Sequence, residues 1–227
     1  EIRPRDWSSD VCSSDLGIGI STCVEPGTSN LGYYYTSSGI PEYMGSAEGA
    51  IVGVDYDGNI NARIGSVDTG QGHATVIAQV ISDMLGTTPE HITVDNTLDS
   101  RISPFVGHSG SYSNKFNDVD MGAVIRGTEK VRDKMLLIAA HVLKAPVADL
   151  RFVPGGSAIQ VAGDASRQMS FKEIATYAYK RITMLPDDME PGLKEIAFYR
   201  NKAAKLPNKD NFNVQLTHSN SAHVLIA

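Results

Sequence analysis

Gly70-Gln71-Gly72-His73 stands directly before an amphipathic stretch, and this glycine-bracketed glutamine constrains the chain more than any other feature. Two residues without a Cβ permit left-handed backbone and bring main-chain N–H groups close to whatever sits there. Behind them Val76, Ile77, Val80, Ile81, Met84 and Leu85 recur at helical spacing, which predicts a helix over His73 to Leu85 with Gly86 as its stop. The N-terminus of such a helix favours negative charge. Gln71 adds an amide that donates and accepts without titrating. The pattern suits a polar, phosphate-bearing ligand. It is also the pattern of a tight strand-to-helix turn that binds nothing, which is the commoner case.

The rest of the chain mixes strands and helices. Residues 46–57 alternate apolar with small or polar positions, Asp57-Gly58 marks a hairpin turn, and Asn59 to Val67 reads as the return strand. A short strand is expected at Ile92 to Asn96, followed by a Ser-, Gly- and Asn-rich loop over 97–117. Asp118 is placed to cap a helix running to about Lys144, with Ile125, Val131, Met135, Ile138, Ala139 and Val142 inward and Gly122 and Gly127 open to close approach. Leu150 to Val153 and Ala158 to Val161 predict a hairpin about Gly155-Gly156. Ser170-Phe171-Lys172-Glu173 has capping-box form and opens a helix to about Arg181. Phe212 to Gln215 and Ala222 to Ile226 read as strands. No regular strand–helix–strand repeat emerges, so the class is α+β, with mixed sheets and packed helices.

A chain of 227 residues with net charge −6 is long enough to bury a core and lacks the basic surface that neutralises phosphates of a nucleic acid. No run of about 18 apolar residues is present, so no membrane span is expected. Two cysteines give neither a disulfide framework nor a zinc or iron–sulfur site, and no metal ligands are assigned. With no secretory signal in view, a cytoplasmic setting is expected. Residues 1–16, with Ser-Ser-Asp twice and no amphipathic period, read as non-native or disordered.

The order of motifs carries more than any one of them. Gly17-Ile18-Gly19-Ile20 leads to Glu25; Gly70-Gln71-Gly72-His73-Ala74-Thr75 opens a helix ending Leu85-Gly86; Gly110-Ser111-Tyr112-Ser113-Asn114-Lys115 precedes another helix. This succession resembles the large, molybdenum-cofactor-binding subunit of the xanthine dehydrogenase / aldehyde oxidase / carbon monoxide dehydrogenase family, from about Gly17 to the C-terminus. Residues 17–227 are then expected to be part of a molybdopterin-binding domain cut at both ends. Two positions depart from the family pattern: Ala74 replaces a glutamate, and Ser113-Asn114-Lys115 replaces Gly-Ser-Arg.

The resemblance implies a molybdenum–molybdopterin cofactor, in many bacterial members with a cytosine nucleotide, held by hydrogen bonds rather than by protein thiolates. It assigns Gly70, Gln71, Gly72, His73, Ser111, Ser113 and Asn114 to that contact, and sets Lys115 where the family carries arginine. It implies oxidation of an aldehyde, N-heterocycle or similar carbon centre with water as oxygen source. Electrons would leave through an FAD-binding medium subunit and a [2Fe–2S] small subunit in a dimer of heterotrimers. The family's general-base glutamate, in a Gly-x-Gly-Glu turn, is expected beyond Ala227, so no catalytic residue is assigned here and the fragment alone is expected to be inactive. Two other classes stay open: a non-catalytic module that binds a phosphate ligand, and an interaction domain with no ligand. Asp55, Asp57 and Asp68 are read as turn and strand-end residues rather than a metal-binding cluster.

Overall fold

Strand alternation builds the centre of the molecule. In β2 (Ala47–Val54), Ala50, Val52 and Val54 point to one face and are buried. Antiparallel β3 (Ile60–Ile64) buries Ile60, Ala62 and Ile64 on the same side, with Val52 opposite Ala62. The computed structural model, which describes residues 18–26, 47–104, 106, 115–200 and 218–226, extends this pair into a four-stranded sheet. Its order is β4 (Ile92–Asp95), β3, β2, β8 (Lys194–Arg200); β4 joins β3 in parallel and β8 joins β2 antiparallel. The turn between β2 and β3 is longer than a two-residue hairpin. Asp55 Oδ1 accepts from the N–H groups of Asp57 and Asn59, and Gly58 takes a φ of 87°, where an added Cβ would lie 2.6 Å from the Lys172 nitrogen.

Two helices cover the inner face. Helix α1 (His73–Leu85) has the predicted bounds and buries Ile77, Ala78, Ile81 and Leu85. Each large aliphatic side chain removed from water there contributes about 1.5–3 kcal/mol. Val76, expected inward, is exposed, because the strip facing the sheet is narrower than the apolar set. Helix α2 (Met121–Leu143) lies across β2 and β8 and buries Val124, Val131, Met135, Ile138 and Ala139. Gly127 lets it rest on Val52, where a Cβ would stand 3.0 Å from the valine methyl, and Gly122 faces the ring of Tyr199.

Three expectations are corrected. The second long helix does not start at an Asp118 cap: Lys115 is already helical, Phe116–Asp120 forms a π turn, and α2 continues from it. Ile125, expected inward, is exposed, since the π turn shifts which residues meet the sheet. The hairpin of β5 (Leu150–Phe152) and β6 (Ala158–Val161) gains a third strand, β7 (Asp164–Ser170), antiparallel to β6. Helix α3 (Phe171–Tyr179) follows at the capping box read from sequence: Ser170 Oγ accepts from Glu173 N at 3.2 Å, and Ser170 N donates to Glu173 Oε2 at 2.8 Å. Strands β1 (Ile18–Pro26) and β9 (His218–Ile226) pair antiparallel as a separate ribbon, Ile18 opposite Ile226. The strand expected at Phe212 to Gln215 lies outside the described residues. Helices with mixed and antiparallel sheets make the fold α+β, as expected.

Candidate functional site

The glycine turn is built from its own side chains. Asp68 Oδ1 accepts from the N–H groups of Gly70 at 2.9 Å and Gln71 at 3.1 Å. Gln71 Oε1 accepts from Thr69 N at 2.7 Å and Thr69 Oγ1 at 2.9 Å. Gly70 and Gly72 take φ values of 103° and 79°, conformations that a Cβ would strain. Around both glycines the space is open: a Cβ built on either would meet nothing within 4 Å among the described residues. The Asp68 carboxyl lies below its usual range. Desolvation, the largest single influence, raises it, but is outweighed by the Gly70 amide, the charge of His73 and the Gly72 and Gln71 amides together. Asp68 is thus the clamp of the turn, and Asp55 holds the β2–β3 loop; among the described residues no group of His, Cys, Asp or Glu is arranged to hold a metal ion.

Helix α1 begins at Gly72 with no side-chain cap and no acidic residue in its first turn; the carboxylate at its positive end is Asp68, in the turn before it. His73, its first residue, is 6% exposed. Its Nδ1 is buried and has no hydrogen-bond partner among the described residues. An orphaned buried nitrogen costs about 1–3 kcal/mol unless something else satisfies it. Burial pulls the imidazole below its usual value of 6.5 and Lys115 pushes the same way, against the opposing charges of Asp68 and Asp120. His73 is therefore neutral at pH 7.

The His73 ring lies on Phe116, centroids 3.7 Å apart and planes 2° from parallel. Phe116 follows Lys115, the last residue of the second motif. His73 of the first motif therefore stacks on the residue that follows the second, 43 positions away in the chain. Ser111, Ser113 and Asn114, assigned to the second bend, lie outside the described residues.

Lys115, the last residue of the second motif, is turned into the interior. Its side chain is wholly buried, with Nζ 2.6 Å from Glu48 Oε2 and 2.6 Å from Asp120 Oδ1. Asp120 Oδ2 accepts from Ser66 Oγ at 2.5 Å, and Glu48 Oε1 accepts from Gly49 N at 3.0 Å. Burial works against the Lys115 charge, yet the carboxylates of Asp120 and Glu48 outweigh it and raise the ammonium above its usual value. The charge is held by carboxylates beneath the bends. Glu48, Ser66 and Asp120 were not found by sequence reading. The one available signal was Glu48, a carboxylate inside the small and apolar run Ala47 to Val54.

A larger hollow, of about 640 Å³, opens elsewhere, lined by Ile51, Arg63, Asp95, Ile102, Tyr179 and Lys194. Ile51 and Arg63 are paired on the face of the sheet turned away from Ala50, Val52 and the helices. Arg63 and Asp95 pair with each other there, and no orphaned polar atom faces that space among the described residues.

With that geometry in view, comparison with known proteins decides the family. The profile of the molybdopterin cofactor-binding domain matches residues 4–226. The chain belongs to that family. It is 30% identical over 156 residues to the carbon monoxide dehydrogenase large chain of Hydrogenophaga pseudoflava, covering 69% of this chain and 18% of that one. It is 28% identical over 179 residues to the nicotine 6-hydroxylase large subunit of Paenarthrobacter nicotinovorans, covering 79% and 21%. Among solved structures, quinoline 2-oxidoreductase from Pseudomonas putida 86 superposes with a TM-score of 0.69 at 24% identity, over 93% of this chain and 24% of that one, and shares the fold. CO dehydrogenase from Oligotropha carboxidovorans gives a TM-score of 0.64 at 26% identity, over 82% and 22%. The chain thus spans about a fifth of the length of the curated relatives it matches.

Proposed function

We propose that this molybdopterin-binding domain is part of the large subunit of a molybdenum hydroxylase and holds the cofactor between the Gly70–His73 turn and the bend ending at Lys115. The observation that carries the reading is His73 Nδ1: buried, without a partner, at the uncapped start of α1, and stacked on the first residue after the second motif. The donor set fits the group. A phosphate-bearing pterin needs neutral hydrogen-bonding atoms and a backbone it can approach, and an open double-glycine turn with an adjacent amide and a neutral imidazole supplies both. In this reading Gly70 and Gly72 admit the cofactor, Gln71 orients it, His73 Nδ1 gains its missing partner, and Ser111, Ser113 and Asn114 close the second side.

When bound, the molybdenum centre supplies two-electron oxidation of a carbon centre with water as the oxygen source. This chain's residues contribute binding and orientation; the proton-abstracting glutamate belongs to the rest of the parent protein. Electron transfer to [2Fe–2S] and FAD groups on partner chains, a cytosine dinucleotide form of the pterin and a cytoplasmic dimer of heterotrimers belong to the same proposal. The names of the relatives, which are large subunits, support it.

The test is the metal content of the full-length parent protein purified with its neighbouring chains. The expected result is molybdenum and pterin in the wild type, reduced about tenfold or more by Gln71→Ala or His73→Phe in folded protein, as for other residues that orient a bound centre. Wild-type protein free of molybdenum and pterin would overturn the assignment.

A further inference from the structure

We propose that Lys115 is a positioning residue: with Glu48, Asp120 and Ser66 it forms a buried clasp that fixes the glycine turn and the π turn carrying Phe116 at one mutual geometry. The clasp joins three separate stretches of chain. Glu48 belongs to β2, Ser66 stands two residues before the Asp68 clamp of the glycine turn, and Lys115 and Asp120 bracket the π turn that follows the second bend.

The π turn is what makes the clasp fit. In an α-helix, side chains five positions apart diverge by about 140°, so Lys115 and Asp120 would face different ways. The wider π register brings residue 115 over residue 120, and both then meet the same buried space as Glu48. Packing does not require this arrangement. A buried ion cluster is commonly no more stable than apolar residues of equal volume, and its best-attested use is to fix one arrangement against others. Here two carboxylates and one ammonium, each 1% exposed or less, hold the start of the π turn whose Phe116 stacks on His73. Phe116, locked between Lys115 and the rest of the π turn, carries the His73 ring. A shift of the clasp therefore moves both sides of the candidate site.

The inference rests on the reading of these bends as the binding site for its functional meaning, but the coupling itself is testable without any cofactor. Amide hydrogen exchange of the full 227-residue chain reads each bend separately. In Ser66→Ala the backbone of residues 115–121, which holds no mutated atom, exchanges about fivefold faster, the equivalent of one lost hydrogen bond. In Lys115→Met residues 68–76 exchange faster still, while residues 150–179 stay at the wild-type rate. Lys115→Arg, which keeps the charge, restores residues 68–76 to within about twofold of wild type. Exchange confined to the mutated bend in Ser66→Ala and Lys115→Met, or an arginine variant as fast as the methionine one, overturns the proposal. Failure of the cofactor assignment would appear instead as missing molybdenum in the parent protein, with the cross-effect between bends intact.

Discussion

His73 is where stability and the proposed role oppose each other. Its folded-state pKa lies below the usual 6.5, first through burial, with Asp68 and Asp120 opposing and Lys115 assisting. As pH falls, the unfolded chain takes up this proton before the folded one does. The residue's contribution is therefore intact above 6.5 and is lost as pH falls from there through the lower folded value. The urea midpoint of the chain should drop as pH falls below about 6.5, and His73→Phe should flatten that slope. The Asp68 contribution, also from a depressed pKa, is lost in a separate window below 3.8. At pH 7 the same His73→Phe should stabilise the chain by about 1 kcal/mol, because the ring contact with Phe116 survives and the orphaned nitrogen is gone. A variant less stable than wild type at neutral pH would show that Nδ1 is satisfied in solution. Glycines, Gln71 and His73 were legible because their chemistry is local: each acts within a few residues of its own turn. Glu48, Lys115 and Asp120 were not, since their meaning arises only when stretches 67 positions apart meet.

At the scale of elements, local signals succeeded where one short segment holds the whole interaction. The capping box of α3 is such a case. Ser170→Ala removes the acceptor for Glu173 N and should lower the stability of the chain by about 1 kcal/mol, seen as a lower urea midpoint with unchanged slope; no change would mean that β7 alone fixes the helix start. Strands β7 and β8 escaped detection for a physical reason. Residues 165–168 of β7 are all exposed, and β8 turns Glu195, Ala197 and Tyr199 inward while its apolar Ile196 and Phe198 face out, so neither carries an inward apolar alternation in its sequence. Both are specified by their partners, β6 and β2, and by what donates to them. Lys130 Nζ donates to the Ile196 carbonyl at 2.7 Å and Arg126 to that of Phe198 at 3.3 Å, so helix α2 occupies acceptors of β8 directly. The π turn was equally hidden, because a wider helical register leaves no periodic mark over five residues.

Across the whole molecule, the helices among the described residues cover one side of the sheet. Ala50, Val52 and Val54 are covered by helices, whereas the opposite face presents Ile196 and Phe198 at 46% and 49% exposure, paired across from Ile51 and Gly49. Ile102, 56% exposed, lines the hollow on that face. Under the proposed reading of the chain as part of a large subunit, a face that solvent meets here is available to other parts of that protein. Lys130 and Arg126 already occupy carbonyls of β8, so the liability lies in the face rather than in strand-to-strand addition. The isolated chain should accordingly bind a hydrophobic dye and associate with rising concentration in sedimentation. Ile196→Thr together with Phe198→Ser should suppress both, with little loss of stability because threonine suits a strand and neither side chain is in the core. Dye binding and association unchanged in that double variant would place the exposed apolar surface elsewhere. The same substitutions leave Glu48, Ser66, Lys115 and Asp120 untouched, so exchange at residues 68–76 should keep its wild-type rate, separating the surface of the sheet from the clasp beneath the bends.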